Sequence, residues 1–89
     1  MIHAREDYNR IQDPANRIGE DEPVFLIRAK DISAVETLEC WIRANEANGG
    51  DPVLSNLVRD HRDLMIYWQD KNGRKPADIT PSQVIGELE

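Results

Sequence analysis

Two stretches of the chain repeat apolar residues at intervals of three and four positions, the spacing that places side chains on one face of an α-helix. The first repeat lies within about 34–48 and consists of Val35, Leu38, Trp41, Ile42 and Ala44. The second lies within about 52–72 and consists of Leu54, Leu57, Val58, His61, Leu64, Met65 and Trp68. The pattern predicts two amphipathic helices and a mainly α fold.

The residues between the two repeats predict a tight connection. Gly49 and Gly50 follow the first helix, where glycine adopts the left-handed backbone conformation without a steric cost. Asp51 and Pro52 then provide an acidic N-cap and a proline at the first position of the second helix. Because helices joined by so short a connection pack side by side, we expect an antiparallel helical hairpin.

The outer ends of the hairpin also contain residues that are typical of helix boundaries. Ser33 and Glu36 have the spacing of a capping box at the start of the first helix, with Asp31 as a rival cap. Gly73 predicts the end of the second helix. The two helices are therefore bounded at both ends by residues whose backbone or side-chain chemistry favours a boundary.

The segment 23–30 contains a short apolar run, Val24 to Ile27, which fits either a buried strand or a buried helix. We favour a short third helix over a strand, because no other segment is a good strand partner and a lone strand leaves backbone groups unpaired. The segment before it has few apolar residues and predicts an irregular arm with one helical turn around 6–11. The predicted organisation is an acidic N-terminal arm (1–22), a helical domain (23–73) and a polar C-terminal tail (74–89) with a final turn or two within 82–88.

Composition narrows the classes of function. The 89 residues carry 11 Lys and Arg against 17 Asp and Glu, a net charge of −6, which argues against general DNA binding because phosphate contacts need a positive face. The length suits one small domain. No apolar run is long enough to span a membrane or to form a signal peptide. The single cysteine, Cys40, fits the reducing cytoplasm.

Catalytic chemistry has no candidate in the sequence. The two histidines, His3 and His61, and Cys40 lack the spacing of a zinc site. No serine lies in a nucleophile elbow, and the Gly49-Gly50 pair lacks the lysine of a phosphate-binding loop. We therefore expect no enzyme, no catalytic residue, no metal and no cofactor, and we interpret His61 as a histidine at the edge of the core.

A cluster of charges follows the apolar run of 23–30. In a helix, Arg28 and Lys30 would lie in the last turn, where cations favour the macrodipole. They could equally hold the phosphate of a nucleotide while an aromatic ring stacks on the base. The candidate ligand-binding residues are Tyr8, Arg10, Phe25, Arg28, Lys30 and Asp31.

Three of the five aromatic residues lie on the two helices, at Trp41, Tyr67 and Trp68. A helix pair of this size does not bury both tryptophans completely, and exposed aromatic side chains mark interfaces. We take these three residues as candidate interface residues and expect a homo-oligomer.

The sequence also resembles a known group of proteins. The stretch Tyr8-Asn9-Arg10-Ile11-Gln12-Asp13-Pro14, then Glu20 to Asp31 with its PVFLIRAKD run, then a tryptophan-bearing helix, is similar to small proteins of tailed bacteriophages and prophages. The resemblance covers about residues 5–75. It implies a phage accessory protein made in the cytoplasm of the bacterial host, and it assigns no activity to any residue.

Two hypotheses of function follow. The first is a non-enzymatic accessory protein that binds and blocks or sequesters a host component, either a nucleotide immune signal, as in counter-defence, or a host protein reached through the acidic arm. The alternative is a structural or assembly protein that acts through self-association or through a phage protein partner.

Overall fold

The structure, a computed structural model, describes residues 1–79. The described chain divides into two compact units, one containing Met1–Leu26 together with Asp78 and Ile79, the other formed by Ile27–Ala77. The final turn expected within 82–88 lies outside the described residues. The mainly helical class predicted from the sequence is confirmed, and both helices belong to the second unit.

The first unit contains two short parallel strands. Strand β1 (Ile2–His3) pairs with β2 (Pro23–Val24), and the amide of Ile2 donates a 2.8 Å hydrogen bond to the carbonyl oxygen of Glu22. The prediction of a helix over 23–30 is therefore wrong. The N-terminal arm supplies a strand partner for this segment, which the sequence analysis did not identify. Proline fits the first position of a strand, where its missing N–H removes no essential ladder bond.

The arm between the strands is organised by hydrogen bonds to loop backbone. A single turn of 3₁₀ helix spans Glu6–Tyr8, within the range predicted for a helical turn. The carboxylate of Asp13 accepts hydrogen bonds from the amides of Arg17 and Ile18, at 3.0 and 2.8 Å. These two bonds lower the pKa of Asp13 below its ordinary value of 3.8, because they stabilise the ionised form.

The second unit is built on helices α1 (Ala34–Ala47) and α2 (Pro52–Asn72). Asp51 caps α2, with its carboxylate accepting from the amide of Val53 at 2.9 Å. The capping box expected at Ser33 is wrong, since the Ser33 side chain makes no capping hydrogen bond. Instead the carboxylate of Asp31 accepts from the amide of Ser33 at 2.8 Å, so the rival residue orders the chain just before α1.

The connection between the helices uses the two predicted glycines in different ways. Gly49 has a positive φ of 73°, the left-handed conformation expected after a helix. Gly50 is required for space, because a Cβ atom there would lie 1.9 Å from the side-chain oxygen of Asn45. The amide of Gly50 donates to the carbonyl oxygen of Asn45 at 2.7 Å, which closes the turn.

Contacts between the helices combine a small apolar core with polar bonds. The buried apolar residues are Ala34, Ile42 and Met65. Arg59 of α2 pairs with Glu46 of α1, and Arg62 lies 4.0 Å from Glu39. Because the later residue of α2 pairs with the earlier residue of α1, the two helices run antiparallel along their contact.

The segment Ile27 to Ile32, which we call the strap, lies against the C-terminal end of α2. Gln69 donates from its side-chain nitrogen to the carbonyl oxygens of Ala29 and Asp31, at 2.9 and 3.2 Å. The ammonium of Lys30 donates to the carbonyl oxygen of Asn72 at 3.0 Å. A single parallel bridge between Asp31 and Lys75 completes the attachment.

Candidate docking surface

Helix α2 carries two adjacent stripes with a seven-residue repeat. The inner stripe consists of Ser55, Val58, Arg62, Met65 and Gln69, all buried or half-buried. Three of its members make polar contacts within the second unit: Ser55 accepts a hydrogen bond from the side chain of Asn45 on α1, Arg62 lies near Glu39, and Gln69 binds the strap. The inner stripe is therefore the side of α2 that holds the second unit together.

The outer stripe lies one residue earlier in the repeat and is exposed. It consists of Leu54, Leu57, His61, Leu64 and Trp68, flanked by Val53 and Tyr67. We call these seven residues the docking face. The sequence predicted His61 at the edge of the core, and that interpretation is wrong, because His61 is exposed.

The exposure of the docking face is large for apolar side chains. Leu57 is 60% exposed, Leu64 58% and Tyr67 61%. With about 200 Å² for a large side chain, the six apolar members of the face expose roughly 600 Å², the upper end of what a soluble monomer presents. A patch of this size indicates a surface for association with another molecule.

A shallow depression lies where the strap meets the docking face. Its volume is about 260 Å³, and it is lined by Ile27, Ala29, His61, Leu64, Met65 and Trp68. Trp68 forms one wall, and the ammonium of Lys30 lies 5.9 Å from the centre of its ring. Most of the residues that line the depression are apolar.

Charged groups border the face on the side away from the inner stripe. Asp60 precedes His61 at the midpoint of the face, and within residues 1–79 no ion-pair partner of Asp60 is found. Lys71 stands at the C-terminal end, with its ammonium 4.9 Å from the centre of the Tyr67 ring. The docking face is thus an apolar strip with the imidazole of His61 at its midpoint, bordered there by Asp60 and at its C-terminal end by Lys71.

The six candidate ligand-binding residues are divided between the two units. Tyr8, Arg10 and Phe25 belong to the first, and Arg28, Lys30 and Asp31 to the second. Phe25 is 67% exposed, and Arg28 is also exposed.

Several of these candidates already have partners inside their own unit. Tyr8 is covered by the guanidinium of Arg5, 3.9 Å from the ring centre. The hydrogen bond to Asp7 holds this guanidinium in place and raises the pKa of Arg5. Lys30 binds the end of α2 and Asp31 orders the chain before α1. These contacts give structural roles to residues that the sequence singled out for a ligand.

The candidate interface residues Trp41, Tyr67 and Trp68 are all exposed. Tyr67 and Trp68 lie on the docking face, whereas Trp41 lies on α1. Sequence reasoning missed Asn45, Ser55 and Gln69, which make the polar bonds of the second unit. The sequence did contain a signal for two of them. Ser55 and Gln69 lie seven positions before and seven positions after Arg62, a spacing that places all three on one side of α2.

Within residues 1–79, no group of three or more His, Cys, Asp or Glu residues is placed to hold a metal ion. No helix in the same range is long and apolar enough to cross a bilayer. Comparison with protein-family models, with curated proteins and with solved structures finds no match for this chain. Function is therefore inferred from the surfaces of the chain itself.

Proposed function

We propose that this chain is a non-enzymatic accessory protein of bacteriophage type, made in the cytoplasm of the host, that acts by binding another protein and blocking it. The observation that carries the proposal is the docking face, an exposed apolar strip along α2. The resemblance to small phage proteins supports the setting, and binding by occupancy requires no catalytic pocket.

The chemistry of the face favours a protein partner. Protein interfaces are enriched in aromatic residues at their centre, and Tyr67 and Trp68 provide two rings on one end of the strip. Rigid aromatic side chains give contact area at a low cost in conformational entropy. A helix with one apolar strip is also a common way to bind a complementary helix.

The nucleotide version of the hypothesis has less support from the contacts. The ammonium of Lys30 is already engaged with the carbonyl oxygen of Asn72, and binding a phosphate would require it to leave the end of α2. The guanidinium of Arg28 is exposed and is the one cation of the strap that could meet a phosphate without breaking a bond described above. We therefore make nucleotide binding an outcome of the test.

The test is site-specific photo-crosslinking in the bacterial host. A photoactivatable phenylalanine analogue is placed at Leu57, in the docking face, and in a control chain at Arg43, an exposed position on α1. We expect one discrete protein adduct from position 57. It should be absent from position 43, lost when Leu64→Glu is added, and suppressed by an excess of the unlabelled chain.

Thermal denaturation with a panel of cyclic and linear nucleotides completes the test. Ligand binding to the folded state raises the melting temperature by mass action. A rise of several degrees that disappears in Arg28→Ala, together with no adduct from position 57, would replace the protein-binding proposal by nucleotide sequestration.

A further inference from the structure

We propose that a depression at the C-terminal end of α2 binds an α-amino acid with an apolar side chain. The depression lies within the second unit and shares no residue with the docking face. Its volume is about 370 Å³, and it is lined by Ile66, Gln69, Asp70, Gly73 and Arg74. These residues provide the three kinds of surface that an amino acid requires, namely hydrogen-bond acceptors, a cation and an apolar wall.

The acceptor side of the depression consists of Gln69 and Asp70. Gln69 is only 8% exposed, and the strap engages its side-chain nitrogen, which donates to two carbonyl oxygens. Its side-chain oxygen accepts no hydrogen bond among the described residues, so it is available to a donor from outside the chain. The carboxylate of Asp70 has no ion-pair partner within residues 1–79. Two neighbouring side chains of the depression therefore have acceptor oxygens without a donor.

A primary ammonium group matches this side of the depression. It has three N–H donors and a positive charge, whereas Asp70 provides acceptor oxygens and the opposite charge. The last carbonyl groups of a helix also give its C-terminal end a partial negative charge. An ammonium group is therefore bound by the two side-chain oxygens and stabilised further by the end of α2.

The cationic side of the depression consists of Arg74, just beyond the end of α2. Gly73 has a positive φ of 79°, so the chain turns there and Arg74 lines the depression as well. The Arg74 guanidinium pairs neither with Asp70 nor with any other carboxylate in residues 1–79. The ammonium of Lys30, bonded to the carbonyl oxygen of Asn72, adds positive charge near this turn. A carboxylate is the group that the fork of a guanidinium binds with two parallel hydrogen bonds.

The apolar wall is the side chain of Ile66, which is 45% exposed and lies one turn before Asp70 on α2. A ligand that meets all three surfaces needs an ammonium, a carboxylate and an apolar group on a short framework. An α-amino acid carries all three on one carbon atom. Because every lining residue except Gln69 is exposed, we expect weak binding, with a dissociation constant of about 1 mM.

The first test is an NMR titration of the ¹⁵N-labelled full chain with L-leucine near neutral pH and at constant ionic strength. We expect the amide signals of Asp70, Gly73 and Arg74 to shift and to saturate. Three related compounds each lack one group: N-acetylleucine lacks the ammonium, leucinamide lacks the carboxylate, and glycine lacks the apolar side chain. Each should bind at least about tenfold more weakly than leucine, because one of the three surfaces loses its partner.

The second test compares variants that are matched in charge. Asp70→Asn removes the carboxylate of the depression, and Asp60→Asn removes the same charge from α2 outside it. We expect Asp70→Asn to weaken leucine binding about tenfold or more and Asp60→Asn to leave it within about twofold. Arg74→Gln should weaken leucine binding to a similar extent and leave leucinamide binding unchanged, since leucinamide has no carboxylate. Circular dichroism confirms that the variants remain helical.

Three results would overturn the proposal. The first is a set of shifts that grow linearly, without saturation, up to about 20 mM leucine, roughly twenty times the expected dissociation constant. The second is a saturable response at amides outside the depression. The third is equal affinity for leucine, N-acetylleucine and glycine, or equal loss in Asp70→Asn and Asp60→Asn. None of these results bears on the docking face, which the photo-crosslink from position 57 tests separately.

Discussion

The side-chain nitrogen of Asn45 lies 2.8 Å from the hydroxyl oxygen of Ser55 and donates a hydrogen bond to it across the connection between α1 and α2. Ser55 is only 1% exposed, so this bond forms away from water. The same nitrogen lies 3.4 Å from the carbonyl oxygen of Asp51. The side chain of Asn45 therefore ties the end of α1 to the start of α2 through polar contacts.

Replacing Ser55 by alanine should destabilise the second unit. The substitution leaves the Asn45 amide without its close acceptor in a partly buried place, and we expect a loss of about 1–2 kcal/mol in the free energy of unfolding. Urea denaturation followed by circular dichroism measures it. Ser33→Ala is the control, since that side chain caps nothing, and its effect should stay within about 0.5 kcal/mol. Equal losses in the two variants would contradict the role of the bond.

Replacing Gly50 by alanine should also be destabilising, and the cause can be isolated. The new Cβ would meet the side chain of Asn45, forcing that amide out of its place, at a cost of about 1–3 kcal/mol. In a chain that already carries Asn45→Ala, the same substitution should cost much less. A double-mutant cycle measures the coupling, and additive effects would show that the clash is not the cause.

Removing the Lys30 ammonium should loosen the strap before it affects the helices. Lys30→Met deletes the hydrogen bond to Asn72 and the favourable charge at the end of α2. We expect the amides of Ile32 and Lys75, which form the bridge, to exchange about three- to tenfold faster with deuterium. Lys71→Met removes a cation from the same turn without touching the strap, and unchanged exchange there is the matched control.

The carboxyl group of Asp13 should titrate below 3.8. Its ionised form accepts the amides of Arg17 and Ile18, so the stability it adds to the first unit is complete above pH 3.8 and is lost as pH falls through the lowered pKa. The amide proton shifts of Arg17 and Ile18 report this titration by NMR. Asp13→Asn should abolish it. A midpoint at or above pH 3.8 would refute the assignment.

The bounds of the helices could be predicted because their signals are local. Asp51 and Pro52 define the start of α2 and Gly73 its end by the chemistry of the residues at those points. The strand at Pro23–Val24 could not be predicted in the same way. Its partner is a two-residue strand at the start of the chain, too short to display an alternating pattern.

The sequence also could not predict which face of α2 is buried. The stripe beginning at Leu54 and the stripe beginning at Ser55 share one period, and apolarity favours the first as the core. The structure buries the second, because Ser55 and Gln69 find hydrogen-bond partners there. Which of two adjacent stripes packs is decided by tertiary contacts, and the exposed stripe then becomes the candidate site.

The attachment of the strap has a consequence for how tightly anything can bind beside it. Gln69, Lys30 and one bridge hold this segment, and no continuous ladder does so. Segments with so few bonds open locally at a free energy well below that of global unfolding. A molecule that binds in the depression beside Ile27 and Ala29 must keep the strap closed. Part of its favourable contact energy therefore offsets the conformational entropy that the strap loses. Stiffening the strap should raise affinity without adding a single new contact.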